Sequence, residues 1–242
     1  MFEHTAAEED IHPHYVSVGK TDIGKVRPTN QDAFTTLDKA GAWVVADGMG
    51  GYRDGDVASR MVCEALADVQ PCARFEDTIE LVRQRLAEVN RRLYKASIRA
   101  VNPVLSGSTV AVLLARDTIC AVIWAGDSRV YRMRNGQLAQ MTTDHTWAAE
   151  LNLQNSGEET DHAITRAVGG EATLSLDVRL DRVERGDRYL LCSDGLTHEV
   201  GDERIAEILA QGGAAKCADA LIATSLHAGG RDNVTVVVVD AE

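Results

Sequence analysis

Helices predicted in adjacent pairs constrain the fold more than any other feature of the sequence. Apolar residues share one helical face over residues 57–69, ahead of Pro71, and again over residues 79–100. Near the C-terminus, residues 202–211 and 214–227 predict a second helical pair, and a Gly-Gly pair follows each helix. Because the helices come in pairs and do not alternate with strands, a doubly wound parallel sheet is disfavoured. The order favours an α+β fold with layered antiparallel sheets.

Strands are predicted between and after these helices. A first strand should follow the N-terminal tail, and an Asn135-Gly136 turn predicts a hairpin between residues 129–134 and 137–141. Residues 173–180 alternate in polarity, as a half-buried strand does. The remaining β-rich apolar runs are residues 33–37, 42–46, 109–115, 119–125, 188–192 and 234–239. With neither a repeat nor a linker, the chain is expected to form a tail over residues 1–13 and a single domain over residues 14–242.

Charge and composition exclude several classes of protein. The chain has 25 Lys and Arg against 37 Asp and Glu, a formal net charge of −12. That sign argues against a nucleic acid or an anionic membrane surface as the main partner. No apolar run is long enough to span a bilayer, and the first residues lack the pattern of a secretory signal. The five cysteines form no CxxC pair, so we expect reduced cysteines and a cytoplasmic protein.

Four aspartates stand where a predicted strand meets a turn. Asp47, Asp127 and Asp194 follow strands, and Asp232 precedes the last one. A single Asp-Gly after a strand is usually only a turn, but four such acids can meet if neighbouring strands carry them at the same end. Clustered carboxylates are costly unless they are protonated or neutralised by a cation. Ligands that are all oxygens indicate Mg²⁺ or Mn²⁺ and exclude a typical zinc site.

An arginine and a fifth acid begin the predicted strand at residues 33–37. Arg27 lies five residues before Asp32, and a guanidinium is suited to binding two phosphate oxygens. Combined with metal ions held by carboxylates, this arrangement is typical of a site that hydrolyses a phosphate monoester. The metals would neutralise the phosphate and lower the pKa of a bound water.

Seven segments of the chain resemble, in order and spacing, the bacterial-type metal-dependent protein phosphatases, the PPM or type 2C family. The resemblance extends from about residue 16 to residue 240. It implies an αββα sandwich, in which two antiparallel sheets pack face to face with a helical pair outside each. The segments are RPTNQD (27–32), VADGMGG (45–51), GST (107–109), AGDSR (125–129), TRAVG (165–169), CSDGL (192–196) and GRDNVT (230–235).

The resemblance also implies roles for individual residues. Asp47 would bridge a pair of Mg²⁺ or Mn²⁺ ions, with the Gly48 carbonyl on one of them and Asp194 and Asp232 on the other. Asp32 would act through a metal-bound water.

The remaining implied roles concern the phosphate and a further ion. Arg27 would hold the phosphate, and Asp127 would bind a labile third ion together with Asp194. The attacking species would be the hydroxide that the paired metals share.

One residue and one segment depart from the family pattern. Met49 stands where many eukaryotic members have a histidine that protonates the leaving group, so a metal-bound water is the expected acid. The segment at residues 145–165, where the family has a mobile flap, is short and is expected to control substrate choice. Its His145 and His162 are predicted to be solvated loop histidines, although either could contact substrate.

These observations predict a metal-dependent phosphatase that acts on phosphoserine and phosphothreonine in proteins and opposes a cognate Ser/Thr kinase. Two alternatives remain open: a catalytically silent module that binds phosphoproteins, and a small-molecule phosphoesterase. A monomer is the default, and neither a nucleic-acid nor a membrane partner is expected.

Overall fold

Two antiparallel sheets form the centre of the protein in a computed structural model that describes residues 13–99, 106–151 and 163–242. The predicted tail lies outside the described residues except for Pro13. The first sheet has the strand order β1-β11-β10-β7-β8. Its strands are β1 (Tyr15–Asp22), β7 (Arg129–Arg134), β8 (Gln137–Gln140), β10 (Arg188–Cys192) and β11 (Val234–Ala241).

The second sheet has the order β2-β3-β5-β6-β9, and the short β4 pairs with β3 beside β5. Neighbouring strands are antiparallel throughout. The strands are β2 (Asp32–Leu37), β3 (Ala42–Met49), β4 (Gly107–Ser108), β5 (Val110–Arg116), β6 (Ile119–Ala125) and β9 (Asp177–Arg182).

A helical pair covers the outer face of each sheet. The helices α1 (Gly51–Leu66) and α2 (Phe75–Arg99) pack on the second sheet. On the first sheet lie α5 (Asp202–Leu209) and α6 (Ala214–Ala228). Two short helices, α3 (Trp147–Glu150) and α4 (Asp194–Thr197), are in connecting segments. The predicted α+β class and αββα sandwich are therefore confirmed.

The hydrophobic core has three layers, as a four-layer sandwich requires. Trp43, Trp124 and Tyr189 are among the residues that fill the space between the two sheets. The outer layers pack the sheets against their helices, with Leu86 in one and Leu221 in the other. Among the described helices, none is long and apolar enough to cross a membrane.

Several predicted boundaries shift by a few residues in the structure; β9 and α1 are two examples, and packing explains the first. The predicted strand at residues 173–180 is replaced by β9, which starts at Asp177. Leu174 and Leu176 alternate as predicted, but they pack against the helix-side core and do not pair with β6. Helix α1 begins at Gly51, before the apolar stripe that predicted it, and ends at Leu66.

Candidate metal and phosphate site

The predicted site residues meet at one end of the sandwich. Asp32 and Asp47 are cross-strand partners in the pairing of β2 with β3. Asp127 lies in the turn between β6 and β7, Asp194 begins α4 directly after β10, and Asp232 precedes β11. Antiparallel order places these strand ends together, so the clustering predicted from the sequence is present.

The two glycines that directly follow aspartates of the site are required because the backbone of another segment lies close to them. Their expected role was to allow a turn. A Cβ on Gly48 would lie 1.9 Å from the carbonyl oxygen of Gly55, and one on Gly195 would lie 1.9 Å from that of Asn233. Neither glycine has a positive φ, whereas Gly126, which precedes Asp127, has a φ of 108°. Close backbone approach therefore packs Gly48 of β3 against α1, and Gly195 of α4 against the segment before β11.

The aspartates hold buried oxygens that have no partner. Among the described residues, Asp32 Oδ1, Asp127 Oδ1 and Asp194 Oδ1 are buried and make no hydrogen bond. The other oxygen of Asp32 accepts a hydrogen bond from Ser193 Oγ at 2.7 Å, while Asp194 Oδ2 lies 3.4 Å from His198 Nδ1. Unsatisfied buried carboxylate oxygens are unfavourable in a stable fold unless a ligand completes them.

Burial raises the pKa of each of these carboxyl groups. The pKa of Asp32 rises to about 7, mainly because burial disfavours its charged form and secondarily because Asp194 and Asp232 lie near. Asp127 also has a pKa raised to about 7, by burial and then by Asp194. Burial is again the first cause of the raised pKa of Asp47 and Asp194. A bound cation would remove this penalty by favouring the charged carboxylates.

Arg27 contacts one of the predicted metal ligands. Its Nε and Nη2 donate to Asp232 Oδ1 and Oδ2 at 2.8 Å and 2.6 Å, and this hydrogen bonding raises the pKa of the arginine. The Arg27 side chain is 55% exposed, so it is accessible to a phosphate from solvent. The fork geometry that binds Asp232 is the geometry that binds two phosphate oxygens.

A cavity of about 390 Å³ opens at this cluster. Asp32 and Asp127 do not belong to its described lining, although both interact electrostatically with Asp194. The predicted site residues that line it are Arg27, Asp47, Gly48, Asp194 and Asp232. Met49, Pro28 and Ile164 add apolar surface to the lining of the same cavity.

The donor set fits Mg²⁺ or Mn²⁺. Within the described ranges, no three His, Cys, Asp or Glu side chains form a preassembled ligand set. Mg²⁺ does not require one, because it keeps several waters and commonly takes only one or two carboxylates. The unpartnered oxygens of Asp32, Asp127 and Asp194 are available to such an ion or to its bound waters.

Hydrogen-bonding residues support the site, and the sequence analysis did not assign them roles. Thr109 is bonded to Asp47 twice: its Oγ1 accepts from Asp47 N at 3.0 Å, and its own N–H donates to Asp47 O at 2.8 Å. Ser193 Oγ accepts from Thr235 N at 3.0 Å while it donates to Asp32. Their positions within the GST, CSDGL and GRDNVT segments were the only available signal.

His145 is buried, so the prediction of a solvated loop histidine is wrong. It is 3% exposed and stacks on Trp124 with ring centroids 6.0 Å apart. Its Nδ1 accepts from Gly126 N at 3.2 Å, and Nε2 lies 3.3 Å from Asp177 Oδ2. Burial is the main cause that lowers its pKa. His162 lies outside the described residues, as does most of the predicted flap.

Comparisons with known proteins agree with this geometry. Residues 21–227 match the family described as Protein phosphatase 2C. The Serine/threonine phosphatase stp of Listeria monocytogenes is 32% identical over 240 residues, which cover 92% of this chain and 94% of that protein. Serine/threonine protein phosphatase PstP of Mycobacterium tuberculosis is 37% identical over 231 residues, covering 91% of this chain and 44% of that longer protein.

Solved structures show the same similarity. PppA, described as a key regulatory component of T6SS in Pseudomonas aeruginosa, matches with a TM-score of 0.90 and 34% identity over 96% of this chain and 99% of that one. The catalytic domain of PstP in complex with two manganese ions matches with a TM-score of 0.83 and 34% identity, over 93% of this chain and 97% of that one. The chain therefore belongs to the protein phosphatase 2C family of metal-dependent Ser/Thr protein phosphatases.

Proposed function

We propose that this chain hydrolyses phosphoserine and phosphothreonine in proteins with Mg²⁺ or Mn²⁺ bound at the carboxylate cluster. The unpartnered buried oxygens of Asp32, Asp127 and Asp194 carry the proposal, because a bound cation would satisfy them. Asp194 also lines the cavity in which Arg27 is exposed. The PstP structure with two manganese ions supports the same type of cofactor.

The proposed residue roles are those that the resemblance to the family implies. Asp47, the Gly48 carbonyl, Asp194 and Asp232 would hold two ions, while Asp32 would bind through water. Asp127, which interacts electrostatically with Asp194, would contribute to a third and weaker ion. When bound, these ions supply charge neutralisation for the phosphate and lower the pKa of a water.

Arg27 would bind the phosphate directly. Its ion pair with Asp232 is largely exposed, and such pairs contribute little net stability. A dianionic phosphate can therefore compete for the guanidinium when Asp232 turns to a cation. In this arrangement Arg27 orients the ester and offsets part of its charge.

The side chain at position 49 does not supply the leaving-group proton. Met49 lines the cavity, and its thioether carries no ionisable proton. We therefore assign this proton to water in the cavity.

The wider context of the enzyme is also part of the proposal. A phosphoprotein substrate requires a Ser/Thr kinase that produces it, so we propose a cognate kinase in the same pathway. A monomer is sufficient for a site built within a single domain, residues 14–242. The five free cysteines support a reducing, cytoplasmic location.

The flap at residues 145–165 would influence which phosphoproteins are accepted. Trp147 N donates to Ala163 O at 3.1 Å, and Thr165 N donates to His145 O at 2.9 Å, so the two described ends of this segment are joined. Ile164, at one end, lines the cavity. Substrate contacts with this segment are therefore made beside the reacting phosphate.

Phosphate release from a phosphothreonine peptide and from p-nitrophenyl phosphate tests the function. We expect Mn²⁺-dependent or Mg²⁺-dependent turnover of both, and its loss in EDTA. Turnover of p-nitrophenyl phosphate alone would favour a small-molecule phosphoesterase. Peptide binding without hydrolysis of either substrate would make the chain a phosphoprotein-binding module and contradict the proposal.

A further inference from the structure

The loop that carries Arg27 belongs to neither sheet and is held against another loop. It connects β1 with β2 over residues 23–31. Lys25 N donates to Gly230 O at 2.7 Å. A Cβ on Gly24, whose φ is 77°, would lie 2.2 Å from Asp232 O. The phosphate-binding loop and the loop that precedes β11 are therefore in close backbone contact.

One buried amide joins these two loops. Asn233 Oδ1 accepts from Gln31 N at 2.8 Å. Its Nδ2 donates to Ile23 O at 2.8 Å and to Thr29 O at 3.0 Å. Asn233 is 5% exposed, so all three bonds are made by a buried side chain. Together they reach both sides of the loop, with Arg27 between them.

The ion pair of Arg27 with Asp232 does not replace these bonds. The Arg27 side chain is 55% exposed, and it releases Asp232 if a phosphate takes over its Nε and Nη2 donors. During that exchange the three bonds of Asn233 still restrain the loop backbone. A loop held in its binding conformation loses less entropy when a ligand binds.

We propose that Asn233 is a positioning residue that holds residues 23–31 in the conformation in which Arg27 binds phosphate. The proposal rests on the proposed function, because it acts on the same site. Asn233 lines the cavity, but both N–H groups of its side-chain amide are already donated to Ile23 O and Thr29 O, so that amide has no donor left for a phosphate. Removing its amide leaves two backbone carbonyls and one N–H without their buried partner, and it frees the loop around Arg27.

A double-mutant cycle separates positioning from a purely structural role. Asn233→Ala and Arg27→Ala, alone and combined, are compared in KM and kcat for a phosphothreonine peptide at saturating Mn²⁺. We expect Asn233→Ala alone to raise KM roughly tenfold, with a smaller effect on kcat. In the Arg27→Ala background, the same change should alter KM by less than about twofold, because it acts through Arg27.

Thr78→Val is the matched control. Thr78 is 4% exposed, and its hydroxyl accepts one backbone hydrogen bond, from Cys72 N at 2.9 Å, at a position outside the described cavity lining. The Thr78→Val variant should be less stable than the unmutated protein and should have the same KM. Asn233→Ser replaces Asn233→Ala if the alanine variant does not fold.

The proposal would be overturned if Asn233→Ala raised KM by the same factor in the unmutated and the Arg27→Ala backgrounds. It would also be overturned if the KM of Asn233→Ala were as low as that of Thr78→Val. Calorimetry with inorganic phosphate and the Mn²⁺-loaded proteins gives a readout without turnover. If the unmutated protein lacks turnover, the proposed function fails, but the inference still predicts weaker phosphate binding in Asn233→Ala. Unchanged phosphate binding would contradict the inference by itself.

Discussion

The two ends of the sandwich bury carboxylates in opposite ways. At the end away from the cavity, the fully buried Asp187 side chain accepts from Arg134 Nε and Nη2, each at 2.7 Å. Asp240 is similarly paired with Arg188. At the cavity end, the buried Oδ1 atoms of Asp32, Asp127 and Asp194 have no partner among the described residues.

This difference separates carboxylates that stabilise the fold from those that are available to a ligand. A buried ion pair whose hydrogen bonds are satisfied offsets much of its desolvation cost. A cluster in which buried carboxylate oxygens have no partner adds cost to the fold, and such clusters are typical of functional sites. We propose that the carboxylate cluster of this protein holds divalent cations.

Asp47→Asn should have the largest effect at the cavity end. It removes the proposed bridging ligand with almost no change in volume, so turnover should fall by at least about a thousandfold. The metal-free melting temperature should not fall, because a costly buried charge is removed. Steady-state kinetics and calorimetric melting check both expectations, and near-normal activity in Mn²⁺ would refute the assignment of Asp47.

Asp187→Asn is the matched change at the opposite end. It removes the buried charge that pairs with Arg134 and should cost about 3–5 kcal/mol of the free energy of unfolding. Urea denaturation measures this loss. Because Asp187 is remote from the cavity, kcat/KM per folded molecule should remain unchanged. A stability loss in Asp47→Asn as large as that in Asp187→Asn would remove the distinction between the two ends.

Added Mn²⁺ should stabilise only proteins that retain the cavity cluster. At a hundredfold excess over its dissociation constant, a ligand of the folded state adds about 2.7 kcal/mol per site. Thermal melting with and without Mn²⁺ should therefore show an increase in the unmutated protein and in Asp187→Asn. Asp47→Asn should show little increase, and an equal one would place the metal elsewhere.

The pH dependence of the metal-free protein should show the smallest effect. The folded-state pKa of Asp32 and Asp127 is raised to about 7 from a usual value near 4, so the folded state holds their protons more tightly. Their contribution to stability is present below pH 4 and is lost as pH rises through 7. Between pH 5 and pH 8, melting temperatures in EDTA should therefore fall less in Asp32→Asn than in the unmutated protein. An equal fall in both would contradict the raised pKa.

Much of the fold and of the site could be predicted because local pattern determines both. Helical periodicity at residues 79–100 predicted α2, and strand-end placement predicted the meeting of Asp47 with Asp194 and Asp232. Long-range partners could not be predicted in this way. The stacking of His145 on Trp124 and the bonds from Asn233 to Ile23 depend on tertiary contacts across 21 residues or more of chain, for which a loop histidine or a turn asparagine carries no local signal.

The start of β9 shows the same limit on a smaller scale. Alternation placed Leu174 and Leu176 on the correct face but could not tell a paired strand from an extended segment that packs on helices. Pairing depends on the backbone of β6, which the side-chain pattern does not report.

Titration of the metal-free protein with Mn²⁺ in a calorimeter tests the central claim most directly. We predict binding of at least two ions to the unmutated protein, unaltered binding in Asp187→Asn, and loss of at least one ion in Asp47→Asn. Identical Mn²⁺ binding in all three proteins would contradict the claim that the carboxylate cluster at the cavity end holds the metal.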